Sequence, residues 1–512
     1  MPPQSSLQSR LAAVIPAGIN LQAYHLSTTP EPTAPLFSSL PGQHDEATFC
    51  ESHFLAISSP ENDDGKEILV FAIEVFIFAT TSVTTLFVSK ADSSGFSSRL
   101  RAPKGSPSIV ALITSTFLDF LLEPRLTNPR VVLSLFARSQ IQYLFPGSIE
   151  NAGKHVLDDR QLIKWWCRIL DRVRRNHEGN TLQPCQTSAH LVVPGCDKGE
   201  TKAFFPPSSR QDSISDSKWI NSYPVELLVE DSSVPPRYLI PRLPDDPKSR
   251  FLDDLDGDYI DEGGKWRSIK SLDQFWEMMS YRQECSAGRL VGFVWVVFSY
   301  GKAAHASSRT RVQSSQTESG QPHLQSSLLT PNNSELQRNG TTASDALPEP
   351  DPRIIPKLNS PPQSSPVGPG QIDTLAIPSD GEQVDAAVAS TNQSTSTMSV
   401  PYLETRGEVV MDANQYTSLM DFLLQTDFAG EELAAASTAG WVQKVFELSR
   451  VTTFGRPIRG EHILAQSSVP ENKSSQPVNV LTSIRKKRKA DNWEESVSAA
   501  EGAEVSKKKP KN

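Results

Sequence analysis

Residues 68–95 read ILVFAIEVFIFATTSVTTLFVSKADSSG, and how that stretch divides decides the architecture. Ile68–Thr80 and Val83–Ser89 are dense in Val, Ile and Phe, with Thr81-Ser82 between them. The first run is apolar on both alternating faces, the pattern of a strand buried in mid-sheet. A second such run after a two-residue polar break reads as its antiparallel neighbour. The most apolar part, Ile68–Ala79, contains Glu74 and falls short of the roughly 20 residues a bilayer-crossing helix needs. No membrane span and no basic-then-apolar leader are expected.

Downstream, Ser106-Pro107 reads as an N-cap and first-turn proline ahead of Ile109, Val110, Ile113, Phe117, Phe120 and Leu121, with Pro124 as the stop. Val131–Phe136 reads as a strand. Asp158 or Asp159 caps an amphipathic helix whose apolar stripe is Leu162, Ile163, Trp166, Ile169, Leu170 and Val173. Residues 176–218 read as a long polar loop, and order returns at Trp219. Ser271 to Gln274 has the S-x-x-Q spacing of a capping box, Gly288 reads as the end of that helix, and Leu290–Phe298 as a last strand. Upstream, Leu11–Leu21 reads as a helix in an otherwise Pro-, Ser- and Thr-rich opening.

Alternating strands and helices with hairpin neighbours give an α/β fold, a mixed central sheet flanked by helices. Between Gly301 and Pro401 there is no Phe, Tyr or Trp, so residues 301–404 are expected to be a long disordered insertion. Helical spacing resumes with Tyr416, Leu419, Phe422 and Leu423 and across Glu431–Leu448. Residues 1–300 are therefore the main part of one domain, 405–450 the helices that complete it, and 451–512 a disordered basic tail. The tail's runs at Arg485–Lys489 and Lys507–Lys511 read as nuclear-import or chaperone contacts, or simply as a solvated tail.

The 512 residues carry a formal charge of −9, which argues against charge-driven DNA binding. Five cysteines, odd in number and without C-x-x-C spacing, read as reduced intracellular thiols with no metal site. General-base chemistry could be carried by one segment, since an amine such as lysine's, with a pKa of roughly 10.4, must lose a proton before it can act as a nucleophile. Asp245-Asp246, held between Pro244 and Pro247, offers a carboxylate pair that could take it. A plain Asp-Pro turn accounts for the same residues. Trp166 is as well explained by core packing, His155 by a surface position, and Lys248 by an ordinary surface lysine.

Four segments in order make the pattern specific: Phe87-Val88-Ser89-Lys90-Ala91-Asp92; Gln142-Tyr143-Leu144-Phe145-Pro146 followed by Lys154-His155; Lys164-Trp165-Trp166; and Leu243-Pro244-Asp245-Asp246-Pro247-Lys248. There the chain resembles the fungal histone acetyltransferases that modify the histone H3 lysine in the helix nearest where DNA joins the nucleosome. That family is similar in fold to the acetyltransferase domain of the CREB-binding-protein coactivators. The resemblance implies acetyl-coenzyme A as co-substrate and no metal.

It also implies Asp246 as proton acceptor beside Asp245, and Asp92, Tyr143 and Trp166 at the mouth where lysine and thioester meet. Ala91, Asp92, Ser93, Arg99, Leu100, Arg101, Phe136, Gln140, His155, Val156, Leu157 and Trp165 would hold the co-substrate, with the arginines at its phosphates. Lys248 would be acetylated by the enzyme itself. Implied partners are histone H3–H4 and histone chaperones of the nucleosome-assembly-protein and anti-silencing-function types, in the nucleus, in chromatin assembly and the response to DNA damage. No direct sequence-specific DNA binding is implied.

One departure stands out. The family's basic loop between Asp92 and Val131 is mostly missing here, through a lost exon or a reduced loop. The alternative expectation is therefore a chromatin scaffold that keeps the fold and has weakened catalysis. The R/Q-x-x-G-x-G/A loop of the commonest acetyltransferase superfamily is absent, and Cys167 has no setting for a nucleophile.

Overall fold

The computed structural model describes residues 6–59, 66–100, 107–178, 185–213, 216–257, 260, 261, 263–282, 285, 288–300 and 403–463. In chain order its strands are β1 Asn20–Thr28, β2 Glu31–Thr33, β3 Thr48–Ser59, β4 Ile68–Ala79, β5 Thr84–Ser93, β6 Arg130–Arg138, β7 Cys185–Val192, β8 Trp219–Ile220, β9 Val291–Tyr300, β10 Val409–Met411 and β11 Arg456–Arg459. The helices are α1 Leu7–Val14, α2 Ile109–Leu122, α3 Asp159–Asn176, α4 Lys198–Lys202, α5 Val225–Leu228, α6 Pro247–Gly257, α7 Leu272–Met279, α8 Ala413–Leu423 and α9 Glu431–Ser449.

Among the described residues all the strands join one mixed eleven-stranded sheet in the order β10-β1-β3-β4-β5-β6-β9-β7-β8, with β11 on β1 and β2 on β3. The doubly apolar β4 is central, as its composition demands, and both of its faces are covered. On one face Val75, Ile77, Leu86, Val88 and Leu133 pack under α1, α2 and α3. On the other, Phe54, Ala56 and Ala72 meet Leu419, Leu423 and Trp441 of α8 and α9. Further along that second face, Phe293 and Trp295 meet Phe251 of α6 and Phe275 of α7.

The structure corrects several boundaries. α1 ends at Val14 and Asn20 already begins β1, because Pro16 cannot continue a helix. Ser108, not Ser106-Pro107, caps α2, accepting from the Ala111 amide; Ser106 lies outside the described residues. Asp158 caps α3 in a full capping box with Gln161. The supposed loop 176–218 contains β7, paired along its whole length with the very apolar β9. At α7 only half of the box forms: Ser271 accepts from the Gln274 amide, but the Gln274 side chain turns to Lys270 and Ser268. That helix stops at Met279, well before Gly288. The stretch read as tail from 451 includes β11, which pairs antiparallel with β1. Of the insertion only Leu403 and Glu404 are described, in a short 3-10 turn Leu403–Thr405, and the two basic runs lie outside the described residues.

β1 and β3 escape a composition-based reading because several of their polar residues are buried against one another. His25 Nε2 lies 3.1 Å from His53 Nδ1, and Arg125 binds Glu51 and donates to Thr405 Oγ1 at 3.2 Å. Burial holds both imidazoles below their ordinary value, and Arg125 adds to the effect. A histidine depressed on folding stabilises the native state above its unfolded pKa of about 6.5, and that stability is lost as pH falls. The melting temperature should therefore drop as pH is lowered from 7.5 to 5.5, and His25→Phe should flatten the dependence. A flat wild-type curve in that range would refute this account.

Candidate active site

The site begins with a fault in the sheet. β5 and β6 run parallel and pair from Thr84↔Val131 to Val88↔Leu135. There a bulge intervenes: Val75 faces Val88, the next residue of β4, Glu74, faces Lys90, and Ser89 is the extra residue. Beyond it β5 stays with β4 as far as Ser93, while β6 stays with β9 as far as Arg138. A bulge bends its strand, so the two neighbours part and leave a notch edged by unpaired backbone. The Ser89 hydroxyl is buried close to this parting without a hydrogen-bond partner.

A cleft of about 380 Å³ extends from the notch. Ala91, Asp92 and Ser93 line one side, and Gln140, Tyr143, His155, Val156, Leu157, Trp165 and Trp166 the other. Ten of the residues implied by the resemblance thus meet in one place. Trp165 and Trp166 stand edge to face at 4.7 Å between ring centres, with Trp166 only 5% exposed. Phe71, Ser108 and Val110 also line it. Their sequence signal is that of core and cap residues, so nothing in the sequence marked them.

Asp92 holds the cleft's shape. Its Oδ2 accepts from the backbone amides of Tyr143 and Leu144 at 2.7 and 3.0 Å, and its Oδ1 accepts from Lys154 Nζ at 2.6 Å. Both oxygens are committed, so Asp92 positions the 142–146 loop. From beneath, Phe145 packs edge to face on Phe428 at 4.8 Å, and the Phe428 amide donates to the Pro146 carbonyl. Chain from beyond the insertion therefore supports the cleft. Tyr143 donates to the Arg138 carbonyl, and burial pushes its phenol up to about 12.

The remaining implied residues lie elsewhere. Arg99 turns away to Glu431 and to the Lys66 carbonyl, and Leu100 is core, 6% exposed. Neither side chain is available to a phosphate; Arg101 lies outside the described residues. Phe136 sits on the opposite sheet face against Phe87, at 6.1 Å between ring centres.

The acidic turn divides its two carboxylates. Asp246 is fully buried and caps α6: its Oδ1 accepts from the Lys248 amide at 2.8 Å, while Oδ2 pairs with the Lys248 ammonium. Lys248 is buried as well, over the Phe293 ring at 4.3 Å, and burial lowers its pKa against the pull of Asp246. With Lys248 unmodified, Asp246 cannot serve as the acceptor the resemblance implied. Asp245 is the exposed one. It has φ +57°, a left-handed conformation that Asp tolerates better than most residues, and its Oδ2 lies 3.2 Å from Lys90 Nζ. Lys90 directly precedes Ala91 and Asp92, which line the cleft, so this contact sets the Asp245 carboxylate beside the cleft's β5 edge.

A split parallel pair beside an aromatic cleft and an acidic turn has room for a slender acyl donor and a carboxylate for an incoming amine, and comparison with known proteins gives the class. Residues 7–129 and 126–444 match the Histone acetyltransferase KAT11-type domain. The chain belongs to this family of fungal histone lysine acetyltransferases. It is 39% identical over 526 residues to histone acetyltransferase rtt109 of Aspergillus flavus, spanning 96% of this chain and 90% of that one. To histone acetyltransferase rtt109 of Schizosaccharomyces pombe it is 32% identical over 54% of this chain and 67% of that one. The crystal structure of Rtt109 from Aspergillus fumigatus superposes with a TM-score of 0.66 at 37% identity, covering 90% of this chain and all of that chain. Acetyl-coenzyme A is accordingly the co-substrate.

Removing the Asp92 carboxylate leaves Lys154 without its counter-ion, though still bonded to the Ser93 carbonyl, and two amides without their acceptor. Asp92→Ala should cost about 3 kcal/mol in urea denaturation, whereas Asp245→Asn should stay within about 0.5 kcal/mol. Equal, small effects would show that Asp92 does not hold the loop.

Proposed function

We propose that this enzyme acetylates a lysine of histone H3, with acetyl-coenzyme A seated in the notch between β5 and β6. The supporting observation is the unpaired strand edge opening into the cleft. Buried backbone amides and carbonyls need partners, and the amide-bearing pantetheine arm of coenzyme A supplies them. When bound, the co-substrate contributes an acyl thioester open to attack. Trp165, Val156 and Leu157 cover its arm and exclude water, and Tyr143 and Trp166 form a channel for the aliphatic stem of the lysine.

Asp245 is the carboxylate that receives the lysine. The ammonium loses a proton to it, the freed amine attacks, the C–N bond forms and the C–S bond breaks. The new amide gives up its second proton, the thiolate gains one, and one proton in sum passes to solvent. No covalent enzyme intermediate is needed. Acetylation of Lys248 by the enzyme would remove the cation beside Asp246 and return that carboxylate to the acidic turn.

The H3 lysine we propose lies in the helix nearest where DNA joins the nucleosome, with tail lysines as further targets. We also propose that chaperones of the nucleosome-assembly-protein and anti-silencing-function types present H3–H4. The setting would be the nucleus, in replication-coupled chromatin assembly and the response to DNA damage. The basic runs near the C-terminus support nuclear import. The second reading, a scaffold with weakened catalysis, is favoured by Arg99, whose guanidinium is taken by Glu431.

Calorimetric titration separates the two readings: acetyl-coenzyme A should bind with measurable heat, lost at least tenfold in Trp165→Ala, while a scaffold gives none. Asp245→Asn should lower kcat on H3–H4 by at least about tenfold, or 1.4 kcal/mol, with an unchanged melting temperature. Asp246→Asn should instead lower the melting temperature, because it leaves Lys248 buried without its counter-ion. Full activity in Asp245→Asn would remove the proton-acceptor role.

A further inference from the structure

Lys90 is absorbed by none of the roles above, yet it stands between the sheet and the acidic turn. Its ammonium lies 3.0 Å from Glu74 Oε2 and 3.2 Å from Asp245 Oδ2. Glu74 is a carboxylate in an otherwise apolar central strand and is 2% exposed. Its other oxygen accepts from the Tyr416 hydroxyl of α8 at 2.8 Å. A chain of contacts thus runs from α8, beyond the insertion, through β4 and β5 to the exposed carboxylate of the turn.

We infer that Lys90 is a positioning residue of the transfer reaction, holding Asp245 at the mouth between turnovers and yielding it to the ammonium of the incoming lysine. This rests on the reading of Asp245 as acceptor. The physical requirement is that a cation can leave Asp245 without becoming unpaired in a half-buried place. Lys90 meets it, because Glu74 stays bound throughout, and Glu74 is in turn held by Tyr416. Burial works against the Lys90 charge, but Glu74 first and Asp245 second outweigh it, so the ammonium persists. The exchange is reversible through the chemistry itself. Substrate arrives as a cation and competes for Asp245. Product leaves as a neutral amide and cannot compete, so Lys90 recovers its partner and helps to expel it. The contact also restrains a left-handed Asp245 that would otherwise be free to relax.

The test is steady-state kinetics of the full-length enzyme on histone H3–H4 with acetyl-coenzyme A. The main variant, Lys90→Met with Glu74→Gln, leaves no buried carboxylate unpaired. Without its resident competitor Asp245 should hold substrate more tightly, lowering KM about threefold. Poorer positioning and slower release should lower kcat about tenfold. Lys90→Arg, which keeps the charge, should recover most of both. The melting temperature and the stoichiometry of acetyl-coenzyme A binding should match wild type, excluding a loss of folded enzyme. Should the double variant melt below the assay temperature, Lys90→Gln alone is scored in the same way. A raised KM, or a kcat within twofold of wild type in folded enzyme, overturns the role of Lys90 only. Failure of the wild type to acetylate histone would instead sink the proposed function.

Discussion

The site depends on the separation of β5 from β6 after Val88 and Leu135. Parallel neighbours in a sheet normally leave no room between them. Here one extra residue, Ser89, bends β5 just as its pairing with β6 ends, and each strand keeps its outer partner. The sheet gains a wedge-shaped opening at little cost in ladder hydrogen bonds, since the antiparallel pairings on both sides continue. α3 then fills the far side with Trp165 and Trp166, so the opening is walled instead of flooded.

Around that opening three carboxylates of similar chemistry acquire different uses from their surroundings. Asp92 is committed to two amides and a lysine, and becomes a clasp for the loop carrying Tyr143. Asp246 is committed to the amide and ammonium of Lys248, and becomes a helix cap. Asp245 alone keeps an exposed carboxylate, and its cation, Lys90, has a second partner to fall back on. Availability for proton transfer is decided here by how many hydrogen-bond donors each carboxylate already has.

Much of the framework could be read from residue patterns. β4, β5, β6, β9, α3 and α8 are long and apolar or strongly periodic, and patterns of that kind survive in almost any tertiary setting. β1, β3 and β7 could not be read so easily. The polar residues of β1 and β3 are buried in an Arg125–Glu51–His53–His25 cluster, and β7 borrows its order from β9. Among site residues, the Trp-bearing helix, Tyr143 and the Asp245-Asp246 turn stood out. Lys90 stood inside one of the four segments without a role of its own, although Glu74 inside an apolar strand was a sign that a cation must lie nearby.

By itself the sequence determined the class of fold, the segments that carry chemistry and their resemblance to a histone acetyltransferase family, because hydrophobic periodicity and short motifs are local properties of the chain. Only the tertiary structure decided which members of those motifs face the cleft. It turned Arg99 toward Glu431, put Phe136 on the other side of the sheet and buried Asp246 under Lys248. The reason is physical: a side chain's accessibility and charge partners come from strands and helices distant in sequence, and no local pattern encodes them.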